Sequence, residues 1–141
     1  NLTLMGNKAL PTAGLVVVKG DKLLLAYSKN KKAWYLPGGK IDDGESSLET
    51  LQREIFEELN IVLNSERLKY YCHITAPAYG EEPPIIMEQD CFIYQLNEKI
   101  EPKNEIGEVR FFDIKMYQSE PAQVPGVLLV FDKLIKDKVL Y

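Results

Sequence analysis

The stretch Gly39-Lys-Ile-Asp-Asp-Gly-Glu-Ser-Ser-Leu-Glu-Thr-Leu-Gln-Arg-Glu-Ile-Phe-Glu-Glu-Leu-Asn-Ile61 decides how this chain is read. Ser46 with Glu49 three residues later has the form of a capping box, in which each side chain satisfies the other residue's backbone N–H at a helix start. Leu48, Leu51, Ile55 and Leu59 then recur at helical spacing, which predicts a helix from about Ser47 to Leu59. Each helical residue turns by about 100°, so Glu54, Glu57 and Glu58 fall inside an arc of about 100° beside the apolar stripe. Like charges at this spacing destabilise a helix by roughly 0.2–0.5 kcal/mol per pair, and no lysine lies among them. Taken alone, such a helix most simply presents a solvated acidic face. The alternative is a hard divalent cation, which takes carboxylate oxygens together with phosphates and waters.

Outward from the helix, Trp34-Tyr-Leu-Pro-Gly-Gly-Lys40 excludes a regular helix and predicts a loop with unusual dihedrals. Upstream of it, the apolar runs Leu15–Val18 and Leu23–Tyr27 flank Gly20-Asp21, which suits a tight hairpin turn. Downstream, Leu68–Thr75 and Ile85–Tyr94 are rich in β-branched and aromatic residues and predict two antiparallel strands joined by the loop Ala76–Pro84. Val109–Phe112 predicts a further short strand. Val127, Leu128, Val130, Phe131, Leu134 and Ile135 predict an amphipathic helix beginning near Pro125. Strands interleaved with two helices, without repeats or linkers, imply one α/β domain over residues 1–141, a mixed sheet covered by helices.

The bulk properties narrow the function classes. The 141 residues suit one domain, and no apolar run approaches the roughly 20 residues of a membrane span. A net charge of −4 argues against a nucleic-acid polymer as the main partner. Asn1–Lys8 has neither a basic nor a long apolar segment, so a cytoplasmic location is expected. Cys72 and Cys91 sit inside β-like runs and are expected to be buried free thiols. His73, the sole histidine, is expected to be packed or hydrogen-bonded rather than catalytic. Gly39-Lys40 lacks the upstream glycine of a P-loop, and Asp42-Asp43-Gly44 is too short for an EF-hand loop.

Gly39, Glu45, Arg53, Glu54, Glu57 and Glu58, with apolar Ile55 and Ile61, stand at the spacing G-x5-E-x7-R-E-U-x-E-E-x-x-U, where U is apolar. By composition alone such a coincidence is expected on the order of once in a million chains of this length. The pattern closely resembles the box of the Nudix family, and Trp34–Lys40 resembles the segment that precedes it. Asn60 stands where family members usually carry glycine. At the end of a helix, asparagine is the common second choice for a left-handed residue, so the exchange is expected to be conformational.

The resemblance implies a Nudix-type α/β/α sandwich and a MutT-like pyrophosphohydrolase. It implies that Glu54, Glu57 and Glu58, with the Gly38 carbonyl, hold Mg²⁺, for which Mn²⁺ is a substitute. Arg53 would orient the carboxylates, with Glu45 as its ion-pair partner. The proton of the attacking water would go to Glu54 as first choice. Glu105 resembles an acidic residue that reaches the metal from ahead of the last strand; Glu108 is the alternative, and two exposed loop glutamates the plain reading. The expected ligand is a small nucleoside diphosphate derivative, with a homodimer compatible. Trp34, Tyr35, Tyr71 and Tyr79 are candidates to stack on its base, Trp34 and Tyr79 foremost. Pro77 and Tyr79 also resemble spacings that flag ADP-ribose and dinucleoside polyphosphate hydrolases respectively, whereas the compact length resembles MutT-like nucleoside triphosphate pyrophosphohydrolases, so substrate identity stays open among the three. A nucleotide-binding module that does not cleave is the alternative function.

Overall fold

The computed structural model describes residues 8–141, so the reading of the N-terminal segment as lacking a leader lies, up to Lys8, outside the described residues. Eight strands and three α-helices follow in chain order: β1 (Lys8–Val16), β2 (Val18–Lys19), β3 (Lys22–Ser28), β4 (Ala33–Tyr35), β5 (Gly38–Lys40), α1 (Ser47–Leu59), β6 (Leu68–Pro77), β7 (Ile85–Tyr94), β8 (Ile106–Phe112), α2 (Ile114–Gln118) and α3 (Pro125–Lys136). One sheet has the order β5-β1-β7-β6; the other has β2-β3-β4, with β8 on the free edge of β3.

The predicted hairpin forms, but through β2 rather than the whole of Leu15–Val18. Gly20 (φ 53°) and Asp21 (φ 67°) both take the left-handed conformation that a tight two-residue turn demands, and Lys19 faces Lys22 across it. The residues before it leave for the other sheet, where β1 runs parallel to β7 from Lys8↔Ile85 to Val16↔Ile93. Leu15, Val16 and Val17 are all at most 1% exposed, as expected of a strand covered on both faces. Loop and helix β5-α1 lie within the crossover that joins these two parallel strands.

Two apolar clusters flank the first sheet. α1 covers Ala13, Leu15, Val17, Leu24, Phe92 and Tyr94 with Leu51, Ile55 and Leu59. α3 closes the other cluster, in which Val130, Phe131 and Leu134 meet Val16, Ile74 and Phe112. The arrangement is the α/β/α sandwich with a mixed sheet that the sequence predicts. Cys72 and Cys91 face each other across β6 and β7 as buried free thiols.

α1 has the predicted bounds for local reasons. Ser46 accepts a hydrogen bond from the Glu49 N–H, and Glu49 accepts one from the Ser46 N–H. Asn60 ends the helix at φ 58°, ψ 39°. Its side chain also bridges the following loop, donating to Glu101 Oε1 at 3.0 Å and accepting from Lys103 Nζ at 3.3 Å. Asn60→Gly relieves the left-handed strain but loses two exposed hydrogen bonds, so its stability should stay within about 1 kcal/mol of the parent. Asn60→Val should cost about 1–2 kcal/mol, because its branched Cβ crowds the carbonyl. Urea midpoints check both, and turnover in Asn60→Gly should match the parent; a tenfold loss would give this side chain a chemical role.

Candidate active site

The helix period points Glu54 and Glu58 at the glycine loop. β5 pairs with β1, placing Gly38 opposite Gly14 and Gly39 opposite Ala13. Neither glycine tolerates a side chain. A Cβ on Gly38 (φ 144°) would meet the Ala13 carbonyl oxygen at 2.0 Å, and one on Gly39 would meet Glu54 Cδ and Oε1 at 2.5 Å. The loop backbone therefore lies directly against the helix carboxylates. Gly38 N–H donates to Glu58 Oε1 at 3.0 Å.

Arg53 gathers the remaining acids. Nε and Nη2 fork onto Glu45 at 2.8 and 2.9 Å, while Nη1 reaches Glu54 Oε2 at 2.8 Å and Glu57 Oε1 at 3.4 Å. Glu45 also accepts from Thr50 Oγ1 at 2.7 Å, and the Arg53 and Thr50 hydrogen bonds hold its carboxyl down at about 2. The expected Arg53–Glu45 pair is thus present as a bidentate fork. Glu57 is the outermost of the helix acids, its side chain 47% exposed.

Burial acts the other way on the inner pair. Glu58 is 7% exposed, and desolvation pushes its carboxyl up to about 8 against the opposing Gly38 hydrogen bond. Burial likewise raises Glu54, opposed by Arg53. The folded state keeps the Glu58 proton over a pH range in which the unfolded chain has lost it. Stability should therefore fall as pH rises from about 4.5 towards 8, by on the order of a few kcal/mol. His73, raised by Asp90 and Glu88, works in the same direction above its ordinary range. The parent-minus-Glu58→Gln difference in urea midpoint isolates the Glu58 share; a difference flat between pH 5 and 8.5 would refute it.

Glu54 and Glu58 line a cavity of about 530 Å³. Glu105 enters it from the turn before β8, its Oε2 accepting from Ser28 Oγ and Asn30 Nδ2, both at 3.2 Å. Glu108 instead pairs with Arg110 at 2.8 Å on the exposed surface. Of the two alternatives, Glu105 is the one brought to the helix acids. Ser28 and Asn30 escaped sequence reasoning; their only signal was a polar stretch directly after a strand.

The same cavity has apolar walls from Leu36, Met87 and Val124, with Tyr35 and Tyr79 edge to face at a centroid distance of 6.4 Å. Tyr79 lies where a stacking residue is expected. Trp34 does not: it is 5% exposed and packs on Tyr27 at 5.2 Å and Phe112 at 4.9 Å, with the Arg110 guanidinium 5.0 Å from its ring centroid. Strand alternation along β4 gives the cavity side to Tyr35 instead. Tyr71 hydrogen-bonds Asp137 beside α3, and half-exposed His73 bridges Glu88 and Asp90; neither is on the cavity wall.

The donor set suits a hard cation, since every acid facing the loop offers oxygen and the buried Glu58 carboxylate has a single N–H to offset its charge. Among the described residues no three acids converge closely enough to enclose an ion unaided, because Arg53 occupies oxygens of Glu54 and Glu57. Phosphate oxygens and waters would have to complete a shell, as is usual for Mg²⁺.

Fold and site together define a class: an α/β/α fold carrying an acidic helix against a glycine loop on a ligand-sized cavity. Residues 8–129 match the NUDIX domain family. The chain belongs to the Nudix family, whose hydrolases generally use divalent metals. It is 43% identical over 44 residues to a Bacillus subtilis (strain 168) protein named as a candidate 8-oxo-dGTP diphosphatase, an alignment covering 31% of this chain and 30% of that one. It is 27% identical over 112 residues to an RNA pyrophosphohydrolase of Aeromonas hydrophila, covering 72% of this chain and 64% of that one. The chain thus spans less than two thirds of either curated relative's length. The crystal structure of a MutT Nudix hydrolase from Burkholderia pseudomallei superposes with a TM-score of 0.69 at 19% identity, over 90% of this chain and 98% of that one. No helix among the described residues is long and apolar enough to cross a membrane.

Proposed function

We propose that the protein is a metal-dependent pyrophosphohydrolase acting on a nucleoside diphosphate linked to a further group, such as a nucleoside triphosphate. The observation that carries this reading is the mixed lining of one cavity, which brings Glu54, Glu58 and Glu105 together with Tyr35, Tyr79 and apolar walls. A charged polyphosphate and an aromatic base both find partners in such a space.

Glu54, Glu57 and Glu58, with the Gly38 carbonyl, would hold Mg²⁺ or Mn²⁺. The bound cation supplies charge neutralisation on the phosphate oxygens and a more acidic water. Arg53, anchored on Glu45, orients Glu54 and Glu57. The oxygen of a water bonds to phosphorus, the bond from that phosphorus to the leaving phosphate oxygen breaks, and one water proton passes to a carboxylate. Glu54 is the first choice to take it, with Glu105, which lines the same cavity, as the other acceptor. Tyr79 and Tyr35 hold the base, and Lys40 on the cavity wall offsets phosphate charge, while Lys31 is paired with Glu81 at 2.7 Å. The parts resemble those of phosphoryl transfer in general, where positioning and electrostatics do most of the work.

The test is to incubate purified protein with Mg²⁺ and nucleoside triphosphates, ADP-ribose, nucleotide sugars and dinucleoside polyphosphates, and to identify products. Two phosphorylated products from at least one class are expected, together with a melting midpoint that rises on adding Mg²⁺. Nucleotide binding without hydrolysis of any class would favour the non-cleaving module instead.

A further inference from the structure

One polar side chain in the cavity has no part in the chemistry above. Gln89 sits in the middle of β7, facing Thr12 of β1 on one side and Ile74 of β6 on the other. It is 9% exposed and lines the cavity beside the apolar Leu36 and Met87. Its Oε1 accepts one weak hydrogen bond, from Cys91 Sγ at 3.7 Å; the same thiol lies 4.0 Å from the Gln89 backbone carbonyl. Nε2 donates to no described residue, and among the described residues no fully buried side-chain nitrogen or oxygen lacks a partner, so Nε2 keeps some access to the cavity that its side chain lines. A side-chain amide this enclosed, with no protein acceptor for its N–H groups, depends on water or on a ligand in the cavity to supply one.

The amide is also held in place. A Cβ on Gly14 would lie 3.0 Å from Gln89 Cδ and Nε2 and from Leu36 Cδ1, so the missing side chain at Gly14 leaves the slot in which the amide lies. With the Cys91 thiol at Oε1, the open end of the amide is its donor.

We propose that Gln89 is a specificity-determining residue, whose Nε2–H groups select bases carrying a ring carbonyl over those carrying an amino group at the same position. The inference rests on the reading of this cavity as a nucleotide site. Stacking on Tyr35 and Tyr79 accepts every base, since each has a π-face. Selection then falls to the hydrogen bond: a carbonyl accepts from Nε2, whereas an amino group confronts donor with donor and leaves both unpaired. Cys91 is a positioning residue, fixing which end of the amide faces the ligand.

The test compares bases that differ only at this group. Dissociation constants for the α,β-methylene analogues of inosine, adenosine, uridine and cytidine triphosphates are measured by calorimetry with Mg²⁺, for the parent, Gln89→Leu, Gln89→Met and Cys91→Ala. Circular dichroism confirms that each variant is folded. Within each oxo/amino pair the parent should bind the oxo member at least about tenfold more tightly, and both Gln89 variants should bring the ratio within about twofold. Cys91→Ala, which does not reach the ligand, should lower the ratio by freeing the amide to turn; an unchanged ratio overturns its positioning role. A parent preference that is absent, inverted, or retained in both Gln89 variants overturns the proposal. If no analogue binds the folded parent, the nucleotide reading falls with it. If the preference is present and depends on Gln89 but none of the four triphosphates is hydrolysed, the hydrolase reading fails while the role of Gln89 stands.

Discussion

Glu54→Gln is expected to lower turnover by at least about a hundredfold at saturating metal while leaving the fold intact. The substitution keeps the side chain's volume and its place against Gly39, so packing is unchanged. It removes a negative charge that either ligates the cation or receives the water's proton, and a group acting on the transition state is worth several kcal/mol in a site shielded from solvent. Because burial already raises the Glu54 carboxyl, the neutral form costs the apo protein little stability. Turnover within a fewfold of the parent in a folded Glu54→Gln protein would remove the residue from the mechanism.

Arg53→Lys should cost at least about tenfold in turnover, although the charge is retained. Arg53 makes a planar fork onto both oxygens of Glu45 and uses its other edge on Glu54 and Glu57, four contacts from one rigid group. An ammonium can hold one or two of these at a time, so Glu54 would lose its orientation while Glu45 kept a partner. The loss should lie in kcat more than in KM, since the guanidinium orients catalytic groups rather than substrate. Steady-state kinetics decide the point; an unchanged kcat would make Arg53 a structural cross-link only. Glu45→Gln should show a milder form of the same defect.

The readings that came true share a cause. α1 was legible to the residue because its start and end are local devices, the Ser46/Glu49 box and the left-handed Asn60, which need no tertiary partner. The gathering of Glu54, Glu57 and Glu58 on one face of that helix was legible for the same reason, since helix geometry sets it whatever the rest of the chain does. What failed depended on non-local pairing or on strand parity. The parallel pairing of β1 with β7 joins residues far apart in sequence, and nothing local in Leu15–Val18 says that the run divides between two sheets. Trp34 and Tyr35 are neighbours on a three-residue strand, so only the parity of β4 decides which meets the ligand; the larger indole went to the core. Leu48 belongs to the apolar stripe by spacing yet is 37% exposed, while Thr50 is fully buried because Glu45 satisfies its hydroxyl. Glu105 reached the acids through Ser28 and Asn30, a contact spanning more than seventy residues.

The pairing of β1 with β7 also sets an order of events during synthesis. β1 leaves the ribosome well before its parallel partner, which begins only at Ile85, and its antiparallel partner is the three-residue β5. Until β7 emerges, the apolar run Leu15–Val17 has one short neighbour and an open edge, a condition that favours association between chains. Contacts of such long sequence separation form slowly, because the loop must close before they stabilise it. The wall of the cavity that carries Gln89 is therefore completed late, after the acidic helix is already available to form, and growth at raised temperature should affect the yield of folded protein through this strand before it affects the chemistry of the site.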